Sequence, residues 1–221
     1  MTTLAGTPHR PVRVSAVLDA PLSRWLWLVK WILVIPHYVV LCFLWIAFTA
    51  VSVIAFFGIL FTGRYPRPLF DFNLGVLRWT WRVAYYSYGA LGTDRYPPFS
   101  LGEEPDYPAR LDIARPERLS RGLVLVKWWL LAVPHYIVIG FFLGGWQAGW
   151  WGGGLLTVLA VIAGVILTFT EKYPGSLFDL ILGLNRWVLR VAAYAALMTD
   201  TYPPFRLDMG GPEPREPEVL S

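Results

Sequence analysis

Two histidines are the side chains in this sequence best suited to chemistry. His37 and His135 each stand in a Pro-His-Tyr motif, at 36–38 and 134–136, within a long apolar stretch. An ionisable side chain there is typical of a proton relay or a ligand contact. The alternative is structural, because proline frees a backbone carbonyl one turn earlier and a neutral imidazole can bond at that kink. We favour the structural role. If these apolar stretches cross a membrane, the candidate functional positions inside it are Pro36, His37, Tyr38, Pro134, His135 and Tyr136.

A second group of polar residues recurs on two later segments. Asp71, Arg78 and Arg82 are spaced by seven and four positions, which puts them on one face of a helix. The same spacing recurs at Asp179, Arg186 and Arg190. We predict two amphipathic interfacial helices with this polar stripe among lipid headgroups and each aspartate paired to an arginine. A third membrane crossing is the alternative, but an arginine at the bilayer centre costs about 2.5–3.5 kcal/mol.

The other motifs of catalysis are missing from the sequence. Cys42 is the single cysteine, so no intramolecular disulfide or cysteine pair forms. There is no glycine-rich phosphate loop and no Ser-His-Asp arrangement, and a metal site would require Asp71 or Asp179 to approach a histidine. Thr93-Asp94 and Thr199-Asp200 are typical of turns or caps. We therefore predict no enzyme activity, no metal and no cofactor.

The composition indicates an integral membrane protein. Charged residues make up 15% of the chain and apolar residues 56%, with a mean hydropathy of +0.48, whereas soluble domains are about a quarter charged. No Asp, Glu, Lys or Arg occurs between Lys30 and Arg64 or between Lys127 and Glu171. Such runs are long enough to cross a bilayer. The net charge of +4 favours anionic lipid headgroups, rather than nucleic acid, as the partner.

The chain is a tandem repeat. Lys30-Trp31, Pro36-His37-Tyr38 and Leu69-Phe70-Asp71 recur as Lys127-Trp128, Pro134-His135-Tyr136 and Leu177-Phe178-Asp179. Further repeated motifs are Leu22-Ser23-Arg24 with Leu119-Ser120-Arg121, Arg78-Trp79 with Arg186-Trp187, Thr93-Asp94 with Thr199-Asp200, and Tyr96-Pro97-Pro98-Phe99 with Tyr202-Pro203-Pro204-Phe205. We predict an N-terminal tail at 1–9, membrane repeats at 10–106 and 107–207, and a disordered tail at 208–221.

The second repeat carries about ten extra residues, rich in glycine and tryptophan, near 144–154. We predict an interfacial loop there, between crossings at 123–143 and Leu155–Thr170. By analogy, residues 25–62 of the first repeat should form a hairpin that turns near Trp45. The alternative is a flat segment ending at Pro36 and then one long span. We favour the hairpin because residues 25–35 are apolar all round, whereas surface helices are amphipathic.

Short extended segments connect these helices. Residues 11–18 and 108–114 alternate partly between apolar and polar side chains, and we expect one small sheet between the repeats on the aqueous side. The predicted fold class is therefore all-α integral membrane, with two copies of a transmembrane helical hairpin and an amphipathic interfacial helix, plus short cytoplasmic β-segments. If both hairpins turn back, the Arg and Lys side chains lie on the cytoplasmic side. Both termini are then cytoplasmic and the repeats are parallel.

These motifs resemble a known family. The sequences at 61–66, 69–72 and 93–99, with Lys-Trp and Pro-His-Tyr upstream, are similar to a bacterial membrane-protein family described as domain of unknown function 4389. The resemblance covers about residues 10–207 and is to two-copy members of the actinobacterial type. In the second copy Glu171-Lys172 stands where the first has Gly63-Arg64. The resemblance implies a protein of the bacterial cytoplasmic (inner) membrane, with no activity or cofactor attached.

The leading functional hypothesis is a non-enzymatic scaffold or accessory subunit that binds partner helices or lipid. It rests on the small aqueous segments and the missing catalytic motifs. A membrane-protein partner or a homo-oligomer is expected. The first alternative is a small channel or transporter with the Pro-His-Tyr motifs lining a path between the repeats. A lipid-modifying enzyme that uses histidine with Asp71 or Asp179 ranks last.

Overall fold

A computed structural model of the chain describes residues 11–144, 154–205 and 207–209. They form a mostly helical structure with one small sheet. The first repeat contains β1 (Val12–Ala16), α1 (Trp27–Leu33), α2 (Ile35–Thr62) and α3 (Arg67–Tyr86). The second contains β2 (Ala109–Ile113), α4 (Arg121–Val126), a π-helical segment (Lys127–Leu131), α5 (Val133–Leu143), α6 (Leu155–Thr170) and α7 (Gly175–Ala195).

The predicted sheet between the repeats is present, and its register reveals a symmetry. β1 and β2 are antiparallel, with Val14 opposite Leu111. These two residues hold the same position in the repeats, because Val14 is third after Pro11 and Leu111 is third after Pro108. Two equivalent residues that face each other in an antiparallel pair lie on a local twofold axis. The repeats are therefore related by an approximate twofold rotation about this pair.

Side chains repeat the symmetry on either side of the sheet. Arg78 Nε of α3 donates to the Leu111 carbonyl at 2.9 Å, and Arg186 Nε of α7 donates to the Val14 carbonyl at 3.0 Å. Each repeat thus places its arginine on the strand of the other repeat. The exchange resembles the self-complementary interface of a twofold homodimer, here formed within one chain.

The first repeat contains one long helix where we predicted a turn. α2 runs without a break through Trp45 and continues to Thr62, so the predicted hairpin at this position is wrong. The physical reason is local sequence: between Pro36 and Gly58 no glycine or proline interrupts the helix, and Pro36 itself lies in the first turn, where it is tolerated. The structure is closer to the alternative, a break near Pro36 followed by one long helix.

α2 packs antiparallel to α3. His37 near the start of α2 contacts Trp79 near the end of α3, and Ser52 in the middle of α2 accepts a hydrogen bond of 3.0 Å from Asn73. The helices are joined by a short turn at Gly63, which has φ +70°. In the second repeat Glu171 adopts the same left-handed conformation with φ 61°, so the turn forms without glycine, with backbone strain.

In the second repeat two helices, α5 and α6, correspond to the single helix α2. Ala55 and Ile59 of α2 are buried, and so are their equivalents Ala163 and Leu167 of α6. α5 and the segment before it, predicted as one crossing at 123–143, are bent by 45° at the break before Val133. The glycine-rich insertion falls between α5 and α6, and residues 145–153 lie outside the described part of the chain.

One helix of the described residues is long and apolar enough to cross a membrane, or two if the bent pair at 121–143 counts as one span. α2 has a mean hydropathy of 2.6 over its most apolar 18 residues, and only 17% of that stretch is buried. Its 28 residues extend about 42 Å, which exceeds the roughly 30 Å of bilayer hydrocarbon. α6 is apolar but shorter, with 16 residues.

Candidate functional site

Each predicted histidine lies at the centre of an aromatic cluster that belongs to its own repeat. His37 Nδ1 accepts a hydrogen bond of 3.0 Å from Trp79 Nε1, and its ring stacks on Phe99 at 4.0 Å. His135 repeats this geometry with Trp187 at 3.2 Å and Phe205 at 4.2 Å. Tyr96 and Tyr202 complete the two sets. We call these the histidine clusters: His37, Trp79, Tyr96 and Phe99, and His135, Trp187, Tyr202 and Phe205.

The hydrogen bonds of the clusters fix the state of each imidazole. A ring nitrogen that accepts from tryptophan carries no proton, so the neutral ring carries its proton on Nε2. Both Nε2 atoms are buried without a partner among the described residues, and both side chains are fully buried. An imidazolium would bring a second buried proton to Nδ1, against the tryptophan N–H. The clusters therefore favour neutral histidine.

The prolines of the Pro-His-Tyr motifs start helices. Pro36 and Pro134 stand in the first turns of α2 and α5, where the missing N–H costs no intrahelical bond. Tyr38 Oη lies 3.4 Å from Ser87 Oγ, and Tyr136 Oη donates to the Trp128 carbonyl at 2.6 Å. The motif thus directs each histidine toward a tryptophan of α3 or α7, and each tyrosine toward Ser87 or Trp128.

A second repeated site, which the sequence interpretation missed, surrounds two buried lysines. Lys30 Nζ donates to the Thr93 carbonyl at 2.6 Å and lies 2.9 Å from Asp94 Oδ1. The other oxygen of Asp94 accepts from the Ser23 N–H at 2.5 Å. The second repeat has the same contacts at Ser120, Lys127, Thr199 and Asp200. We call these sets the lysine clamps.

The clamps tie three separated motifs together in each repeat. The aspartate binds the backbone N–H of the serine before α1 or α4, and the ammonium of a lysine in α1 or in the π-helical segment. The Thr-Asp turn is thus fixed to the start of each repeat. We predicted Asp94 and Asp200 as turn or capping residues and did not pair them with lysine. The sequence feature that could have identified the clamps is repetition, since Lys-Trp, Thr-Asp and Leu-Ser-Arg each occur in both repeats.

The predicted polar stripe faces inward for most of its length. Arg82 donates to the carbonyls of Ser100 and Gly102, and it is 2% exposed. Arg186 donates to the carbonyls of Val14 and Asp208, and Arg190 pairs with Asp208 at 2.6 Å. The two helices are present as predicted, but these arginines bind the protein's own backbone and one carboxylate instead of lipid headgroups.

Charge and carbonyl dipoles explain why the stripe turns inward. The strands and the segments after the Pro-Pro-Phe motifs present carbonyls that need donors, and arginine supplies several in a fixed geometry. Asp71 is exposed, and neither it nor Asp179 forms an ion pair within the described residues. Asp208, the first residue of the predicted disordered tail, pairs with Arg190. The residues from 210 onward lie outside the described part of the chain.

Burial also sets the protonation of nearby groups. Burial raises the pKa of the Tyr107 hydroxyl, so this group stays a neutral donor to the Arg95 carbonyl at 3.2 Å. Burial lowers the pKa of Arg82, and Glu104 opposes that effect. In the described residues, no three His, Cys, Asp or Glu side chains come together as a metal site would require.

The repeated residues thus form two matched sets of internal contacts, one set per repeat. A family model described as Domain of unknown function (DUF4389) matches residues 24–100 and 125–206. Each matched segment lies within one of the two repeats. No curated protein and no solved structure matches the chain.

Proposed function

This chain belongs to the DUF4389 family, and from that premise we propose that it is a non-enzymatic membrane protein, a scaffold or accessory subunit that binds partner helices or lipid. The observation that carries the proposal is the exposed apolar surface of α2. Phe43, Ile46 and Ile54 are 69%, 64% and 58% exposed. A core helix of a soluble protein would bury most of such a surface, whereas a bilayer or a partner helix covers it.

The chemistry of the repeated motifs supports a structural protein. The histidines, lysines and arginines that recur in both repeats are taken up by internal hydrogen bonds and ion pairs. Each histidine is enclosed by rings of its own repeat, an arrangement that does not favour a path between the repeats. The channel and the lipid-modifying enzyme stay predictions, and no contact among the described residues favours either of them.

We also propose that the twofold axis stands normal to the bilayer, so that the repeats are parallel. The axis passes through the sheet, where Arg13, Arg110 and Asp112 carry charge. An axis in the membrane plane would put these charges at mid-bilayer, where their cost is high. With the axis normal, equivalent positions lie at equal depth and the charged sheet is free to lie in water. The positive-inside rule then favours the cytoplasmic side of a bacterial cytoplasmic membrane for this face and both termini.

Single-cysteine labelling tests this orientation. Arg95→Cys and Thr201→Cys occupy equivalent exposed positions beside the two Thr-Asp turns and are made in a Cys42→Ala background. An impermeant thiol reagent should label both in inside-out vesicles and neither in intact cells. Labelling of the two positions from opposite sides contradicts the parallel arrangement.

The scaffold role is tested by photo-crosslinking in native membranes. A benzophenone amino acid at Phe43 should give crosslinked protein bands, because this position projects from the apolar surface of α2. The matched control is the same amino acid at Asp112 of the aqueous sheet, which should give none of those bands. A protein that crosslinks to no other polypeptide and purifies as a lone monomer contradicts the scaffold.

A further inference from the structure

An apolar groove lies between the two repeats. Its volume is about 390 Å³. One wall is the middle of α2, and the other wall comes from the π-helical segment, α5 and the end of α7. The residues that decide its character are Thr49, Ser52, Phe57, Trp128, Tyr136 and Leu197.

In the other half of the molecule, an aromatic side chain packs across the two repeats near the equivalent of Phe56. Trp27 packs against Gly164 of α6, and its Nε1 donates to Thr168 Oγ1 at 3.0 Å. Tyr88 Oη donates to the Trp27 carbonyl at 2.6 Å and covers this contact. An aromatic side chain of the first repeat thus lies on the helix of the second.

In the half that contains the groove, the residues that correspond to Trp27 and Tyr88 are smaller. Val124 stands where the first repeat has Trp27, and Ala196 stands where it has Tyr88. Phe56 stands where the second repeat has Gly164, and it lines the groove. The aromatic contact between the repeats that Trp27 makes in one half therefore has no aromatic counterpart at Val124 in the other.

The polar atoms of the groove are already in use. Thr49 Oγ1 donates to the Trp45 carbonyl at 2.9 Å, and Tyr136 Oη donates to the Trp128 carbonyl at 2.6 Å. Ser52 Oγ accepts from Asn73 Nδ2 at 3.0 Å. A ligand would meet hydrocarbon and aromatic surface with these hydroxyls engaged elsewhere. The apolar lining therefore favours a hydrocarbon ligand that has no polar group within the groove.

The size and position of the groove further limit which ligands it can hold. A methylene group takes up nearly as much space as a water molecule in the liquid, roughly 30 Å³, so the groove holds about a dozen methylenes. The rim residues Val53 and Phe57 are 53% and 50% exposed, so the groove opens onto the apolar surface of α2. Trp128 lies in the π-helical segment, and π-helical turns occur frequently at functional sites.

We propose that this groove holds one acyl chain of a membrane phospholipid. The proposal rests on the proposed membrane location and adds a specific lipid site between the repeats. The chain would enter from the bilayer along α2 and lie against Trp128 and Tyr136, beside Phe56. The headgroup would remain at the interface.

The test uses vesicles of phosphatidylethanolamine and phosphatidylglycerol that contain phosphatidylglycerol with a diazirine in one acyl chain. After irradiation, labelled peptides are mapped by mass spectrometry. Labelling in 49–57 and 128–136 should exceed labelling at Phe169, an 82% exposed residue of α6 outside the groove, by at least fivefold. Equal labelling at both places indicates ordinary surrounding lipid and overturns the site.

Two pairs of variants separate the groove from the general membrane surface. Thr49→Trp fills the groove and should reduce its labelling at least fivefold, whereas Thr157→Trp at the equivalent position of α6 should leave it unchanged. Val53→Trp and Val161→Trp form a second pair in case the first substitution prevents folding. Unchanged groove labelling in folded Thr49→Trp or Val53→Trp overturns the proposal.

Two further readouts identify the source of a failure. A free diazirine fatty acid that labels the groove while the phospholipid does not contradicts the phospholipid and indicates a soluble fatty acid as occupant. If the protein does not embed in the bilayer, Phe169 and Phe43 remain unlabelled as well. That result overturns the membrane location itself, whereas labelled surface helices with an unlabelled groove overturn only the acyl-chain site.

Discussion

At the scale of single residues, each histidine of the histidine clusters has one ring nitrogen that forms a hydrogen bond and one that lacks a partner among the described residues. The tryptophan N–H finds its acceptor on Nδ1, while the buried Nε2–H lacks a partner among the described residues. A buried donor left unpaired costs about 1–3 kcal/mol. Stacking on Phe99 and Phe205 offsets part of this cost, since aromatic pairs contribute about 0.5–1.5 kcal/mol beyond burial.

A double-mutant cycle on this pair distinguishes structure from proton transfer. His37→Leu should destabilise the protein because it leaves the Trp79 N–H unpaired, and Trp79→Phe should destabilise it through lost packing. The coupling in the free energy of unfolding, measured by denaturing-detergent titration in micelles, should be about 1 kcal/mol. Zero coupling, with liposome ion flux abolished in His37→Leu, would contradict the structural role and support the channel.

The lysine clamp makes the second prediction at this scale. Lys30→Met removes the ammonium and leaves Asp94 with the Ser23 N–H and solvent, and loss of one partner of a largely buried pair costs on the order of 3 kcal/mol. Exposed Arg95 of the Asp19 pair provides the control, because Arg95→Met should cost below about 1 kcal/mol. Thermal unfolding in detergent measures both. Equal small effects would contradict a buried clamp.

Sequence reasoning reached these residues only partly. It singled out the histidines and the arginine stripe because type and spacing are visible in one dimension. It missed the lysine clamp because Lys30 and Asp94 are distant in the chain and nothing local pairs them. The inward turn of the arginines was equally hidden. The acceptors of Arg78 and Arg186 are backbone carbonyls of the opposite strands. Every residue has such a carbonyl, so the sequence does not show which one accepts a hydrogen bond.

At the scale of elements, glycine decides how closely a helix approaches its neighbour. A Cβ on Gly75 would lie 2.8 Å from the Leu101 carbonyl oxygen, so the segment after the first Pro-Pro-Phe motif packs directly on α3. The equivalent Gly183 would place its Cβ 3.2 Å from the Met209 side chain, which is flexible. The two positions therefore differ in tolerance although the repeats share their fold.

Alanine substitution measures this difference. Gly75→Ala should force the Leu101 backbone away from α3, at a cost of about 1–3 kcal/mol for overpacking, and should weaken the Arg82 bonds to Ser100 and Gly102. Gly183→Ala should be close to neutral, since Met209 can move and alanine favours helix. Unfolding in detergent compares the two variants. A neutral Gly75→Ala would contradict the close approach.

Helices were predicted more reliably than the turns between them. The amphipathic spacing correctly placed α3 and α7, and the partial alternation of residues 11–18 and 108–114 correctly indicated paired strands. The error was at Trp45, where a turn was transferred from the glycine-rich second repeat onto a first repeat without glycine there. An insertion in one copy marks where a helix tolerates a break. It does not show that the uninterrupted copy breaks as well.

At the scale of the whole molecule, the two repeats behave as the subunits of a twofold dimer joined by a linker. β1 pairs with β2, Arg24 of the first repeat pairs with Glu171 of the second at 2.9 Å, and Tyr173 Oη donates to the Ala90 carbonyl at 2.7 Å. Each repeat supplies hydrogen-bond and ion-pair partners to the other, so either repeat alone would expose groups that are paired in the whole chain. The covalent link then serves mainly to raise the local concentration of one half for the other.

Splitting the chain in the linker tests this interpretation. Residues 1–106 and 107–221, coexpressed as separate polypeptides, should assemble in the membrane and copurify through a tag on one half, because the contacts between them do not require a covalent connection. Val14→Asp should abolish copurification, since Val14 is fully buried on the axis and an unpaired buried carboxylate is costly. Ser15→Asp is the matched control: Ser15 is exposed and faces Arg110 across the sheet, so assembly should persist. Halves that are each stable alone and fail to associate would contradict the dimer-like organisation, because reciprocal arginine contacts of the observed kind leave neither half complete without the other.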